Sequence, residues 1–192
     1  MLPVSLFMPS YRSMLLQPDN DERWRQIVAA LQKELMQLRP DEISWIEQRL
    51  DNVHLLQRRL HQLFIAADGA EHCSNCAGQC CELGHNHMTL VNVISCLLNG
   101  DLPPVNFSNS CPFLAHDGCS LAVEHRPFNC VTFICDRVED ALGSERQQQF
   151  YALEAELRTL YTAFDERYLG SSMRGILIRS QRINGAPFLT LR

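Results

Sequence analysis

Apolar residues recur at helical spacing in three long stretches of the chain. Trp24, Ile27, Val28, Leu31, Leu35 and Leu38 fall three or four apart and mark one face of a helix. Asp19, with Glu22 three positions on, is a capping-box pattern for its start. Pro40 stops this helix and can open the next, because a missing N–H costs nothing in a first turn. Ile43, Ile46, Leu50, Val53, Leu56, Leu60 and Leu63 stripe the second helix. The two are expected to pair as an antiparallel hairpin. Stripes of this kind usually pack into a core, and that reading is preferred to a groove for a partner. A third stripe, Phe150, Leu153, Leu157, Leu160, Phe164 and Tyr168, follows a helix interruption at Gly143 and a second capping box at Ser144 and Gln147. Gly170 ends it.

The ground between the stripes is less regular. Residues 67 to 88 are polar and contain glycine, and read as a loop. Thr89 predicts the start of a short helix through Leu90, Val93, Ile94, Leu97 and Leu98, with Gly100 at its C-terminal end. Asp117-Gly118 is a hairpin-turn signal, and so is Asn184-Gly185 between the apolar runs 176–178 and 187–191. The pattern predicts a mainly α protein: a helical hairpin and a long C-terminal helix around an irregular cysteine-rich centre, with a small C-terminal β-hairpin. Its regions are 1–66, the helical hairpin; 67–136, the cysteine region; and 137–192, the last long helix and hairpin. At 192 residues they fit one compact domain.

Composition changes this picture at one point, cysteine. All nine cysteines lie between Cys73 and Cys135, with four of the seven histidines. The net charge is -5 and no lysine- or arginine-rich run occurs, which disfavours nucleic acid as a partner. No apolar stretch is long enough to cross a membrane. Met1 to Pro9 has no basic lead and is broken by Pro3 and Pro9, unlike a secretory signal. The expected compartment is therefore the reducing cytoplasm, where clustered cysteines mean metal or redox chemistry more often than disulfides. The odd cysteine count points the same way.

Spacing nominates eight ligands. Cys73 and Cys76 form C-x2-C, so one turn can bring two sulfurs to one ion, with Gly78 free to adopt the positive φ of such a knuckle. Cys80 and Cys81 are adjacent and would point to opposite sides of an extended segment. Cys111 and Cys119 form C-x7-C at a predicted turn, and Cys130 and Cys135 form C-x4-C. Eight thiolates can make two tetrahedral sites, or one cluster with thiols to spare. Cys96 lies in the short apolar helix and is expected to behave there as a small hydrophobe. His85 and His87 can complete a site, but with His72, His116 and His125 they read first as solvated loop residues; His54 and His61 read as surface residues of the second helix. Four thiolates around Zn²⁺ or a [4Fe–4S]²⁺ cluster leave a net charge of about -2. Arg126 and Arg137 are the candidate counter-charges.

The run Cys73, Cys76, Cys80, Cys81, then Cys111-Pro112-Phe113-Leu114, Gly118-Cys119-Ser120-Leu121, Arg126-Pro127, Cys130 and Cys135 resembles the bacterial cysteine-cluster family named for its CxxCxxCC motif and described as zinc- or iron-chelating. The resemblance covers residues 70 to 136 and leaves out the helical flanks. Here Ala77, Gly78 and Gln79 put three residues before the double cysteine where the family motif has two, so Cys80 and Cys81 both stay open for the family position. The resemblance implies chelation of zinc or iron. Some relatives look like part of a flagellin lysine methylase, which adds an enzyme to the alternatives. Three functions are thus expected to compete: a metal-binding protein, an iron–sulfur protein with redox or protein-modifying activity, and an adaptor whose helical hairpin binds a protein while metal orders the centre. No P-loop, dinucleotide fingerprint or Ser-His-Asp order suggests another chemistry.

Overall fold

The computed structural model describes residues 20–75, 79–102, 104–116, 118–169 and 173–192. The first two stripes are helices α1 (Asn20–Gln37) and α2 (Pro40–Ala66). Trp24, Ile27, Leu31 and Leu35 of the first, and Ile46, Leu50, Val53, Leu56, Leu60 and Leu63 of the second, are buried. Arg39, ahead of Pro40, is extended at φ -68 and ψ 151, because a following proline ring crowds out the helical conformation. Asp19 lies outside the described residues. Glu22 accepts bonds from Arg25 and Gln26 one turn on.

Which helices pair differs from expectation. The sequence continues with α3 (Gly69–Asn75), a 3-10 segment Gln79–Asn86, α4 (Leu90–Asn99), a hairpin of β1 (Leu114–Ala115) and β2 (Gly118–Cys119), a 3-10 turn Val123–His125, α5 (Phe128–Thr132), α6 (Asp136–Arg167) and α7 (Ile176–Ile183). The main partner of α2 is α6, whereas α1 packs on α4 and α7. A period of 3.6 tells which face is buried and not what covers it.

Glu42 and Arg167 pin α2 to α6. Arg167 Nε donates to Glu42 Oε1 at 2.6 Å, its Nη2 donates to the other oxygen, and the Tyr168 hydroxyl donates to Glu42 as well. The same guanidinium lies over the Trp45 ring, 4.4 Å from its centre, and Trp45 meets Phe164 edge-on. Along α6, Phe150, Leu153, Leu157 and Phe164 are buried, and so is Tyr161, which the stripe omitted. Gly143 breaks the helix at φ 69 and ψ 164, a conformation open to glycine. Gln147 Nε2 reaches back across the break to the Glu139 carbonyl at 2.8 Å.

Two further expectations are corrected. The region 67–88 is not a plain loop, since α3 and the 3-10 segment occupy most of it. The C-terminal run is helix α7 and not the arm of a β-hairpin. Asn184, at φ 47 and ψ 48, ends that helix in the left-handed conformation, which asparagine tolerates at a C-terminus as well as in a hairpin. Arg179 on α7 is fully buried, and its Nη2 donates to the carbonyls of Leu169 and Phe188. Glu34 of α1 takes the amides of Phe188 and Leu189 at 3.0 and 2.8 Å, and Tyr168 bridges Leu191. The fold is mainly α, and among the described residues it has one small antiparallel hairpin, β1–β2, at the Asp117-Gly118 signal; Asp117 itself lies outside the described residues. Among the described residues no helix is long and apolar enough to cross a membrane.

Candidate metal centre

The centre is built on β1–β2. Leu114 pairs with Cys119, and Ser120 donates twice to the Phe113 carbonyl, from its amide at 2.9 Å and its hydroxyl at 3.0 Å. This short ladder sets Cys111 and Cys119 at the base of one turn. Burial pushes the Cys111 thiol up, and the Phe113 and Leu114 backbone N–H groups, bonded to it, pull it back. Amides turned on a sulfur in this way favour its thiolate form.

The 3-10 segment lies against the same cysteine. A Cβ on Gly84 would stand 2.8 Å from Cys111 Sγ, so the bare glycine gives the cysteine side chain its room. This places Cys81, half-buried, within reach of the hairpin. Its thiol is pushed up to about 12, first by burial and then by the nearness of Cys80, Cys111 and Cys119. Cys130 comes from α5. Its thiol is driven up by crowding around the sulfur, then by Cys119, Cys111 and Cys81, against the opposing pull of Arg126. Cys130 thus senses Cys119, Cys111 and Cys81, Cys81 senses Cys111 and Cys119, and Cys111 senses Cys119. They come from three separate elements. Cys119 and Cys130 are exposed, while Cys81 and Cys111 are half-buried, so the group has one open side. His87 stands there too, its Nδ1 3.5 Å from Cys130 Sγ.

A polar network fixes the segment leading to Cys130. The Arg126 carbonyl accepts Gln57 Nε2 from α2 at 2.6 Å and Asn92 Nδ2 from α4 at 2.9 Å. Asn92 Nδ2 also reaches the Tyr161 hydroxyl of α6, and Asn92 Oδ1 accepts the Thr89 amide and hydroxyl at the start of α4. Arg126 Nε donates to the Leu121 carbonyl, which holds the guanidinium near the cysteines. Arg137 is exposed on α6.

The other nominated ligands are distributed differently. Cys80 is half-buried beside Cys81. Cys73 is half-buried on α3, and Cys76 lies outside the described residues. Cys135 is the N-cap of α6, packed against the core. Cys96 is buried in α4 as expected, its thiol pushed up to about 12 by burial. No disulfide joins Cys80, Cys81, Cys96, Cys111, Cys119, Cys130 or Cys135. Among the described residues no three Cys, His, Asp or Glu side chains stand at ligand spacing around one point.

The histidines are less solvated than their loop positions predict. His85 is buried, 3.1 Å from Asn20 Nδ2 through its Nε2 and edge-on to Phe107. His125 is buried and His54 half-buried, each against Ser95, and His61 stacks on Phe64. His72 is half-buried and His116 exposed. Sequence reasoning missed Gly84, Gln57 and Asn92. Asn92 carried a signal, an amide in the middle of an apolar helix, where a polar group needs partners. No family model, curated protein or solved structure matches the chain.

Proposed function

We propose that the protein binds metal, with Cys81, Cys111, Cys119 and Cys130 as four thiolate ligands for zinc or iron. One observation carries the reading: thiols from three elements stand near one another, with Cys119, Cys111 and Cys81 raising the cost of ionising Cys130, and Cys111 and Cys119 raising that of Cys81. A cluster of thiols that oppose one another's ionisation has no advantage for packing. A divalent cation turns that opposition into attraction, since each thiolate then faces a positive centre. Arg126 offsets part of the charge left over.

Cys80 is the alternative to Cys81, and Cys73 with Cys76 would form a further grip in C-x2-C spacing. The expected setting is a reducing compartment such as the cytoplasm, because exposed Cys119 and Cys130 would otherwise oxidise. The test is metal analysis with an absorption spectrum on protein purified without oxygen. Zinc in a colourless protein fits the simple chelator. Iron with sulfide and a brown colour fits the iron–sulfur reading. Freshly isolated protein free of metal, and taking up neither ion when offered it, would end the proposal.

A further inference from the structure

Ser95 lies between two histidines. Its Oγ is 2.7 Å from His54 Nε2 and 2.8 Å from His125 Nδ1, and the two rings meet edge to face with centres 5.6 Å apart. On its far side, His125 Nε2 is 3.6 Å from Asp101 Oδ2. Three elements meet in this tie: α2 supplies His54, α4 supplies Ser95, and the 123–125 turn supplies His125. Serine, histidine and aspartate in a row can also make a nucleophile. Here Ser95 is only 2% exposed, so its hydroxyl cannot meet a substrate.

The hydrogens of the trio can be counted. A serine hydroxyl has one proton, so it donates to one ring and must accept from the other. With both rings neutral this is met. With one ring protonated it is still met: that ring donates into Ser95, and the hydroxyl turns to the neutral ring. The Asp101 carboxylate faces the outer nitrogen of His125. With both rings protonated the hydroxyl hydrogen meets two donors and has no acceptor. In a buried site that bond cannot be replaced by water.

We propose that His54, Ser95 and His125 form a one-proton switch that keeps the 123–125 turn tied to α2 and α4 until a second proton is forced in. The charged groups around it set where this happens. Asp51 and Arg58 face His54 from its own helix, and Glu124 and His125 face it from the turn, with Glu124 also paired to Arg58 at 3.2 Å. Burial, then His125, holds His54 below the ordinary histidine range, while Glu124 pulls the other way. A ring held neutral by folding contributes stability at high pH and loses it as pH falls below the unfolded value of about 6.5. The second proton, and release of the turn, therefore belong to mildly acid solution.

The test uses the full chain, with histidine ring nitrogens followed by NMR and amide exchange followed at residues 123–126, from about pH 8 to about pH 5. The His54 ring is expected to titrate below the ordinary histidine range, with turn exchange rising as it takes up its proton. Ser95→Ala should raise turn exchange already at pH 8. His54→Gln, whose amide can both donate and accept, should keep the turn protected and remove the acid step. If Ser95→Ala does not fold, His54→Gln decides alone. Turn exchange indifferent to pH in the parent, or an acid step surviving in His54→Gln, overturns the switch. Neither outcome depends on metal at the cysteines.

Discussion

Gly84 presents its bare α-carbon to Cys111: a methyl group there would stand 2.8 Å from Sγ and 3.1 Å from Cβ. That contact joins the segment carrying Cys81 to the hairpin carrying Cys111 and Cys119. Gly84→Ala must displace the Cys111 sulfur or push the segment from the hairpin. Overpacking of this kind costs about 1–3 kcal/mol. The expected result is a folded protein with at least tenfold weaker metal binding, measured by competition with a chromophoric chelator. Unchanged affinity would mean that the 3-10 segment is not part of the site.

Removing the Glu42 carboxylate should destabilise the whole protein and leave the metal centre intact. Glu42 is 3% exposed in its side chain and paired with Arg167, which is 33% exposed. Loss of one partner from a buried pair costs about 3–5 kcal/mol, and the partial exposure of Arg167 argues for about 3. Bonding by Arg167 holds the Glu42 carboxyl below its ordinary range against the cost of burial. A carboxyl held down in this way adds stability above the unfolded value of about 4.3, which is lost as pH falls through the lower folded value. Thermal melts of Glu42→Ala should therefore lie below the parent at pH 7 and converge on it in acid. Parallel curves down to the lowest pH would refute the pairing.

Metal affinity should rise with pH. Burial and neighbouring thiols hold Cys81, Cys111 and Cys130 protonated at neutral pH, so binding must expel their protons. Each proton expelled adds about one decade of affinity per pH unit. Chelator competition between about pH 6 and about pH 8 should show a steep positive slope. A flat profile would place the ion on groups already deprotonated.

The three stripes located α1, α2 and α6 because buried positions in a helix must repeat near 3.6 residues. Their pairing was hidden, since the Glu42–Arg167 contact joins residues far apart in sequence. Ile176-Leu177-Ile178 suits a strand as well as a buried helix. Arg179, which needs the Leu169 and Phe188 carbonyls, goes with the helix. The abundance of cysteine was plain, and spacing joined Cys130 to Cys135 and Cys73 to Cys76, neighbours in sequence. That Cys130 also stands near Cys119, Cys111 and Cys81 is a contact between separate elements, which spacing does not carry. His54 and His125 looked like surface and loop residues because the serine linking them sits on a third element.

The most direct measurement is bound metal per chain in Cys119→Ser and Cys96→Ala beside the parent. Cys119 is exposed and neighbours the other three thiols, so its loss leaves three ligands and an open position. Cys96 is fully buried in an apolar helix, and its replacement by alanine removes only one sulfur from the core. The account predicts that Cys119→Ser loses most of its metal while Cys96→Ala keeps the parent's content. Parental metal in Cys119→Ser, or loss confined to Cys96→Ala, would contradict it.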